Sequence, residues 1–272
     1  MEHRTVKPAW WISQKARAIG YRAAATLKGI DAPKTLIVHA GHHKVGTLWF
    51  QRILRTMCNR FGWRYFTGDQ AHLPASAHVF HQNHSRLDFD GLPPYVGSHL
   101  IRDPRDIVIS GYFYHLGCGE SWCVTPRSKF DGKSYQDVLR SLGQEAGIEF
   151  EMRHSARNTF RAMTKWNFTN ENMIEIRYED LVEDEQEVFR GIFRHYGLTT
   201  DQIRKSLEIV QSFSFENVTK RYVGQAKAGA HLRSGKVGQW RDHFTDRHID
   251  LCKDLYGNGL IQLGYEMDDK WS

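Results

Sequence analysis

The sequence predicts an α/β protein with a mainly parallel central sheet flanked by helices on both faces. Three observations lead there. Short apolar or β-branched runs alternate with stretches of helical period. The first such run, Leu36-Ile37-Val38, passes through a loop with two glycines, Gly41 and Gly46, straight into a helical pattern opening at Thr47. No internal repeat or Pro/Gly/Ser-rich linker divides the 272 residues, a length that suits one large domain.

Each element has its own signal. Phe50, Leu54, Met57 and Phe61 recur at helical spacing after the loop, and Gly62 ends that helix. Trp63 to Phe66 reads as a short strand, His78 to Gln82 as a third and Val96 to Ile101 as a fourth. A helix follows from Pro104 to His115, proline being well placed in a first turn because it has no N–H to leave unpaired. Residues 117–134, rich in Gly, Ser, Pro and charge, read as a long loop. Helical patterns return over 135–145 and 152–166. Met173 to Arg177 is the last strand. Val188, Ile192 and Tyr196 mark a helix stopped by Gly197. Thr199 and Gln202 form a capping box for the next, which runs to about Gln211. In parallel sheets of this kind ligands bind beyond the strand C-termini.

Composition narrows the class. A hydrophobic share of 40% and a charged share of 25% are those of an ordinary globule, and the formal charge of +6 suits a polyanionic ligand. Basic residues are scattered, without the runs of a nucleic-acid tail. The four cysteines include no CxxC pair and no zinc ligand set. Cys58 and Cys252 read as core thiols; Cys118 and Cys123 are close enough in sequence for a disulfide, with free thiols the expectation. No apolar run reaches the ~18 residues of a membrane span and no signal pattern opens the chain, so we expect a cytoplasmic protein. Residues 1–33 read as an N-terminal helical extension. Within it, 8–28 mixes Trp10, Trp11, Ile12 and Ile19 with basic residues, in the manner of an interfacial helix or one packed on the body of the protein.

The glycine loop suits an anion. Glycines allow close backbone approach, unpaired first-turn N–H groups point at the ligand, and Lys44 adds a full charge. An ATPase loop would carry lysine directly after the second glycine, followed by Ser or Thr for magnesium. Here Thr47 and Leu48 stand there, and the lysine lies two residues before Gly46. The run His43-Lys44-Val45-Gly46-Thr47-Leu48-Trp49 instead resembles the phosphosulfate loop of the PAPS-dependent sulfotransferases, Pro-Lys-Ser-Gly-Thr-Thr-Trp. The resemblance implies that residues 34–272 form one sulfotransferase domain of the P-loop NTPase-like fold. It also implies that Lys44, Val45, Gly46, Thr47, Leu48 and Trp49 contact the cofactor.

Two further motifs follow in the family's order. Arg102-Asp103-Pro104-Arg105-Asp106 through Ser110 resembles its 3′-phosphate motif, which gives Arg102 and Ser110 that phosphate to hold. Arg233-Ser234-Gly235-Lys236-Val237-Gly238-Gln239-Trp240 resembles the C-terminal Arg-Lys-Gly-x-x-Gly-Asp-Trp segment. It implies cofactor contacts from Arg233, Ser234 and Gly235, with backbone N–H groups near Gly235 and Gly238 closing over the 3′-phosphate. Tyr178-Glu179-Asp180-Leu181 is similar to the family's Tyr-Glu-Asp-Leu, whose tyrosine lies near adenine. Ser214 and Phe215 match its Ser-Phe segment, and Trp49 would stack on the base.

The activity implied is transfer of the sulfuryl group of PAPS to a hydroxyl or amine, leaving PAP. Like phosphoryl transfer it depends on in-line positioning and charge stabilisation. Lys44 would neutralise the bridging oxygen, and no metal is required. The resemblance implies a base at His84, which in the segment Val79 to Ser85 aligns with the histidine of the family's Lys-x-His sequence, Gln82 standing for the lysine; His81, His42 and His43 are its rivals among the 15 histidines. A P-loop nucleotide or small-molecule kinase is the alternative, weakened by the displaced lysine; a PAP-binding protein without catalysis is the third reading. The acceptor is expected to be a small hydroxylated or amine-bearing metabolite, met by Glu120, Trp122, Phe130 or Asp131 of the 117–134 segment. No nucleic-acid partner is expected, and the resemblance allows a homodimer.

Overall fold

The computed structural model describes residues 31–225 and 233–272, so the N-terminal helix expected over residues 1–33 lies almost wholly outside the described residues. Strand β1 (Leu36–Ala40) is buried at every position and runs through the middle of a five-stranded sheet of order β2-β3-β1-β4-β5. Its neighbours are β2 (Tyr65–Thr67), β3 (Val79–Gln82), β4 (Tyr95–Ile101) and β5 (Met173–Arg177), and every pairing is parallel. In β1, Ile37 joins the main core, whereas Leu36 and Val38 pack with Phe80 in a second, smaller cluster closed by Phe66, Leu73, Leu87 and Leu92. This two-faced burial is why the strand reads as an unbroken apolar run.

Helix α1 (Thr47–Phe61) leaves β1 through the glycine loop and buries Phe50, Ile53, Leu54, Met57, Cys58 and Phe61. Gly62 ends it at φ 73°, its N–H donating to the Cys58 carbonyl, the left-handed stop that glycine provides at least cost. Helix α2 (Pro104–His115) follows β4, and the Asp103 carboxylate accepts the Arg105 N–H as its cap.

The 117–134 segment is not a plain loop. It contains a helical turn, α3 (Ser121–Val124), and a 3-10 turn (Ser128–Phe130). Cys123 is fully buried there and donates from Sγ to the His115 carbonyl at 3.7 Å. Cys118 and Cys123 are both buried thiols outside any disulfide, as are Cys58 and Cys252.

The two helical patterns expected over 135–145 and 152–166 resolve into three helices: α4 (Tyr135–Ser141), α5 (Gln144–Arg153) and α6 (Ser155–Thr164). Gly143 caps α5, and His154 breaks the chain between α5 and α6 at φ −119°, ψ −93°. The sequence pattern blurs them because their apolar stripes are brief. The second strand starts at Tyr65; Trp63 is a core residue just before it.

Beyond β5 come α7 (Tyr178–Glu183), α8 (Glu185–His195) and α9 (Thr200–Ser212), the last with the expected capping box. Then follow α10 (Phe215–Thr219), α11 (Asp246–Tyr256) and α12 (Gly259–Gln262). Among the described residues, no helix is long and apolar enough to cross a membrane.

Candidate active site

At the C-terminal ends of β1, β3, β4 and β5 the chain encloses a cleft of about 890 Å³. The glycine loop forms its floor. Gly46 sits at φ 110°, with Tyr178 and Leu100 side-chain carbons 3.5–3.6 Å from where a Cβ would stand, and Lys44 takes the left-handed region at φ 65°. A non-glycine residue at positive φ is strained, and here the strain belongs to the one cation of the loop. Thr47 Oγ1 donates to the His42 carbonyl at 2.6 Å, locking the loop onto the first turn of α1. The Trp49 N–H donates to the Gly46 carbonyl at 2.9 Å, which leaves the Thr47 and Leu48 amides at the head of α1 to make the loop an anion seat.

Lys44 extends over the Tyr114 ring, Nζ lying 3.7 Å from its centroid. Burial, and then the Arg102 guanidinium, bring its pKa down from 10.5 to about 7. Arg102, 5% exposed, stands at the end of β4 with its guanidinium 4.3 Å from the centre of the Tyr178 ring. Its hydrogen bonds, to the carbonyls of Lys44 (3.3 Å) and Lys236 (3.4 Å), are long, and its Nε is buried without a partner. Asp106 lies 3.6 Å from it. Arg233 rests over Phe113 at 4.3 Å, bonds to the Gln239 side chain, and has its pKa lowered by burial and then by Arg102.

One buried carboxylate joins the second and third motifs. Asp106, fully buried on α2, accepts the N–H of Gly238 at 2.8 Å and of Trp240 at 3.1 Å. Burial raises its pKa, opposed by Arg102. The Gly238 amide is therefore committed to Asp106 and does not face the cleft as the motif comparison implied. Gly235, at φ 66°, leaves its carbonyl to Tyr178 OH at 3.5 Å and has Phe215 only 3.0 Å from a would-be Cβ.

The structure brings most of the sequence-predicted site residues to one cleft: His84, Lys44, Gly46, Thr47, Leu48, Trp49, Arg102, Ser110, Tyr178, Ser214, Phe215, Arg233, Ser234 and Gly235 all line it. Val45 does not. Its side chain is fully buried in the main core, which leaves it only its backbone to offer.

The rival histidines separate cleanly. Strand β3 ends at Gln82, and His84 lies beyond it on the cleft, its backbone N–H held by Gln82 Oε1 at 2.7 Å and its pKa lowered by burial and then Arg86. His81 stays in the sheet, bonded to Tyr65 OH at 2.8 Å, and burial brings its pKa down to about 3. His42 is buried against His99, whereas His43 lines the cleft.

Sequence reasoning missed Tyr114, Gln239, Asn83, Arg52 and Glu185 as wall residues. Glu120 was singled out within its segment and does reach the wall, whereas Trp122 donates to it from behind and Phe130 and Asp131 do not line the cleft. Glu185 carries a buried Oε1 without a partner, and burial raises its pKa to about 7.

These features define an α/β protein with a cation-lined cleft beyond the C-terminal ends of its strands. The sequence model described as "Sulfotransferase domain" matches residues 99–267, more than half of the chain, and the protein belongs to that family. The matched stretch holds the second and third motifs; the glycine loop lies upstream of it. Among curated proteins, mouse sulfotransferase 2A6 is 24% identical over 177 residues, 60% of this chain and 55% of that one. A guinea-pig 3-alpha-hydroxysteroid sulfotransferase is 24% identical over 168 residues, 58% and 53% of the two chains. The chain thus spans about half the length of the curated relatives it matches.

Among solved structures, mouse sulfotransferase SULT7A1 complexed with PAP superposes with a TM-score of 0.53 at 18% identity, covering 88% of this chain and 91% of that one. Retinol dehydratase in complex with androsterone and PAP gives 0.51 at 16% identity, with 88% and 85% covered. At such identities the likeness is one of fold. Family membership sets the kinase alternative aside.

Proposed function

We propose that this protein transfers the sulfuryl group of PAPS to a hydroxyl or amine of a small-molecule acceptor and releases PAP. The observation that carries the reading is the convergence of Lys44, Arg102 and Arg233, from three separate motifs, on one cleft. The residues fit the cofactor. Arg102 is a planar fork with weak bonds and an unpartnered Nε, suited to the 3′-phosphate together with Ser110 and Arg233. The loop amides around Gly46, Thr47 and Leu48 suit the 5′-phosphate and sulfonate. Trp49, edge-on to Tyr178 and Phe189, forms an aromatic corner with Phe215 for the base.

When bound, PAPS supplies an activated sulfuryl group. The chain's part is to hold it in line, with Lys44 neutralising the charge that builds on the departing bridging oxygen. Tyr114 and the strained loop backbone fix where that ammonium stands. An imidazole of the cleft wall takes the acceptor's proton. The motif comparison points to His84, which follows β3, across β1 from β4 and the 3′-phosphate motif that follows it.

The relatives named above for hydroxysteroids make a hydroxylated acceptor the natural first test, and Glu120 offers an amine a counter-charge. We read residues 34–272 as one domain and the protein as cytoplasmic.

Calorimetry tests the reading. PAP should bind equally well with magnesium and with EDTA, should bind far better than ATP, and should lose affinity in Arg102→Ala. Binding of magnesium–ATP in preference to PAP would overturn it.

A further inference from the structure

The adjacent histidines of the loop lead into two chains of the same composition. His42 Nε2 meets His99 Nε2 at 2.8 Å, and His99 Nδ1 meets Glu175 Oε2 at 2.6 Å. His43 Nε2 meets His115 Nε2 at 3.0 Å, and His115 Nδ1 meets Glu151 Oε2 at 2.9 Å. Of the two loop residues only His43 lines the cleft.

The His43 chain is firmly built. Its two rings are parallel to within 3° with centroids 5.2 Å apart, which at the Nε2–Nε2 distance sets them edge to edge in one plane. His115 is fully buried and Glu151 is 1% exposed. Tyr135 OH donates to the same Glu151 oxygen at 2.7 Å. On α2, a Cβ at Gly111 would stand 2.4 Å from Glu151 Oε1, so the glycine leaves the carboxylate its room. A buried carboxylate is costly to desolvate, and hydrogen-bond donors aimed at it, here His115 and Tyr135, offset that cost.

The donors then order themselves. A carboxylate only accepts, so His115 carries its proton on Nδ1 and accepts at Nε2. His43 therefore holds its proton on Nε2, which makes Nδ1 its basic atom. Facing this ring are Lys44 of the same loop, Tyr114 of α2 and Glu120 before α3. Behind it lie Cys118, Cys123 and Tyr135, with His154 near Glu151 and His84 across the mouth.

We propose that His43, positioned by His115 and Glu151, takes the proton that the acceptor loses, while the His42 chain is structural. The proposal rests on the sulfuryl-transfer reading. As the acceptor's O–H or N–H bond breaks, its proton passes to His43 Nδ1 and the freed electron pair forms the bond to sulfur. The pair of the cleaved S–O bond leaves on the 5′-phosphate oxygen of PAP. Glu151, through His115, balances the imidazolium that remains.

The test follows transfer of ³⁵S from PAPS to 2-naphthol and to water, together with PAP affinity and ¹⁵N spectra of the histidine rings in the PAP complex. Glu151→Gln can turn its amide toward His115 and reverse both tautomers. The expected result is about a 100-fold loss of transfer, a changed His43 nitrogen signature and PAP affinity within twofold of wild type. His43→Ala, a cleft-wall change that spares the core, should lose as much, and the double variant no more than either single one. Glu175→Gln should stay within twofold of wild type. Transfer that survives His43→Ala but is lost in His84→Ala would overturn the proposal and leave the sulfotransferase reading standing. A wild-type protein that does not bind PAP would overturn that reading itself.

Discussion

Lys44 should take up a proton when PAP binds. Burial and the nearby Arg102 bring its pKa to about 7 in the free protein, against an ordinary 10.5. Because the folded value lies below the unfolded one, the charged form destabilises the free protein. Stability therefore rises with pH between about 7 and 10.5, and the full cost is present below 7. A bound polyanion reverses the balance by giving the ammonium a partner. At pH 7 about half of Lys44 is neutral before binding, and at pH 8 about nine-tenths, so uptake should climb from roughly 0.5 to roughly 0.9 proton per PAP.

The same linkage weakens PAP about fivefold between pH 7 and pH 8. Calorimetry in buffers of different ionisation enthalpy counts the protons directly. At pH 8 the phosphates, with a second pKa near 6, add almost nothing. Glu185, the other wall group brought to about 7, contributes to both proteins, so the difference between wild type and Lys44→Met gives the lysine's share, roughly 0.9 proton at pH 8. An unchanged proton count in Lys44→Met, or none in the wild type, refutes the reasoning.

Three other perturbations reach different parts of the site. Arg102→Ala should weaken PAP by about 2–3 kcal/mol, the worth of charge-assisted bonds; adenosine 5′-phosphosulfate, which lacks the 3′-phosphate, should change less than threefold in the same titration. Asp106→Ala strands the N–H groups of Gly238 and Trp240 and removes the carboxylate beside Arg102, so urea unfolding should show a loss of about 2–4 kcal/mol. Gly111→Ala drives a methyl against Glu151 and should cost about 1–3 kcal/mol in the same assay, with a smaller loss in Gly111→Ala/Glu151→Gln if the clash relaxes.

What the sequence displays is what local chemistry dictates. Gly62 must stop α1 because the chain turns left-handed there, and Asp103 with Pro104 starts α2 with a side-chain cap and a proline needing no N–H acceptor. Such signals are complete within a few residues, as are the three motifs that resemble the family's. The rest of the site depends on residues far apart in the chain. Asp106 reads as one more acidic residue in a first turn, yet it holds the backbone 132 residues further on. His115 and Glu151 sit 36 residues apart in unremarkable helical stretches, and only the packing of α2 on α5 joins them. Glu120 and Tyr114 share a hydrogen bond of 2.6 Å at the cleft wall, inside a segment whose composition suggests a loop.

The cleft is built from cations that oppose one another. Arg102 lowers the pKa of both Lys44 and Arg233, so each motif raises the cost of charging the next. Asp106 answers Arg102 only at 3.6 Å and spends its better bonds on the third motif's backbone. Arg102 in turn is held by long bonds to two carbonyls and by the face of Tyr178. A dianionic phosphate replaces weak acceptors with strong ones and relieves the repulsion at the same time, so the two gains reinforce each other. If the cleft binds PAPS as proposed, mutual repulsion in the free state favours a ligand with separated phosphates: a single anion relieves one cation and leaves the others uncompensated. By that argument the affinities lost when the 3′-phosphate and the 5′-phosphate are removed one at a time should not add up to the loss when both are removed.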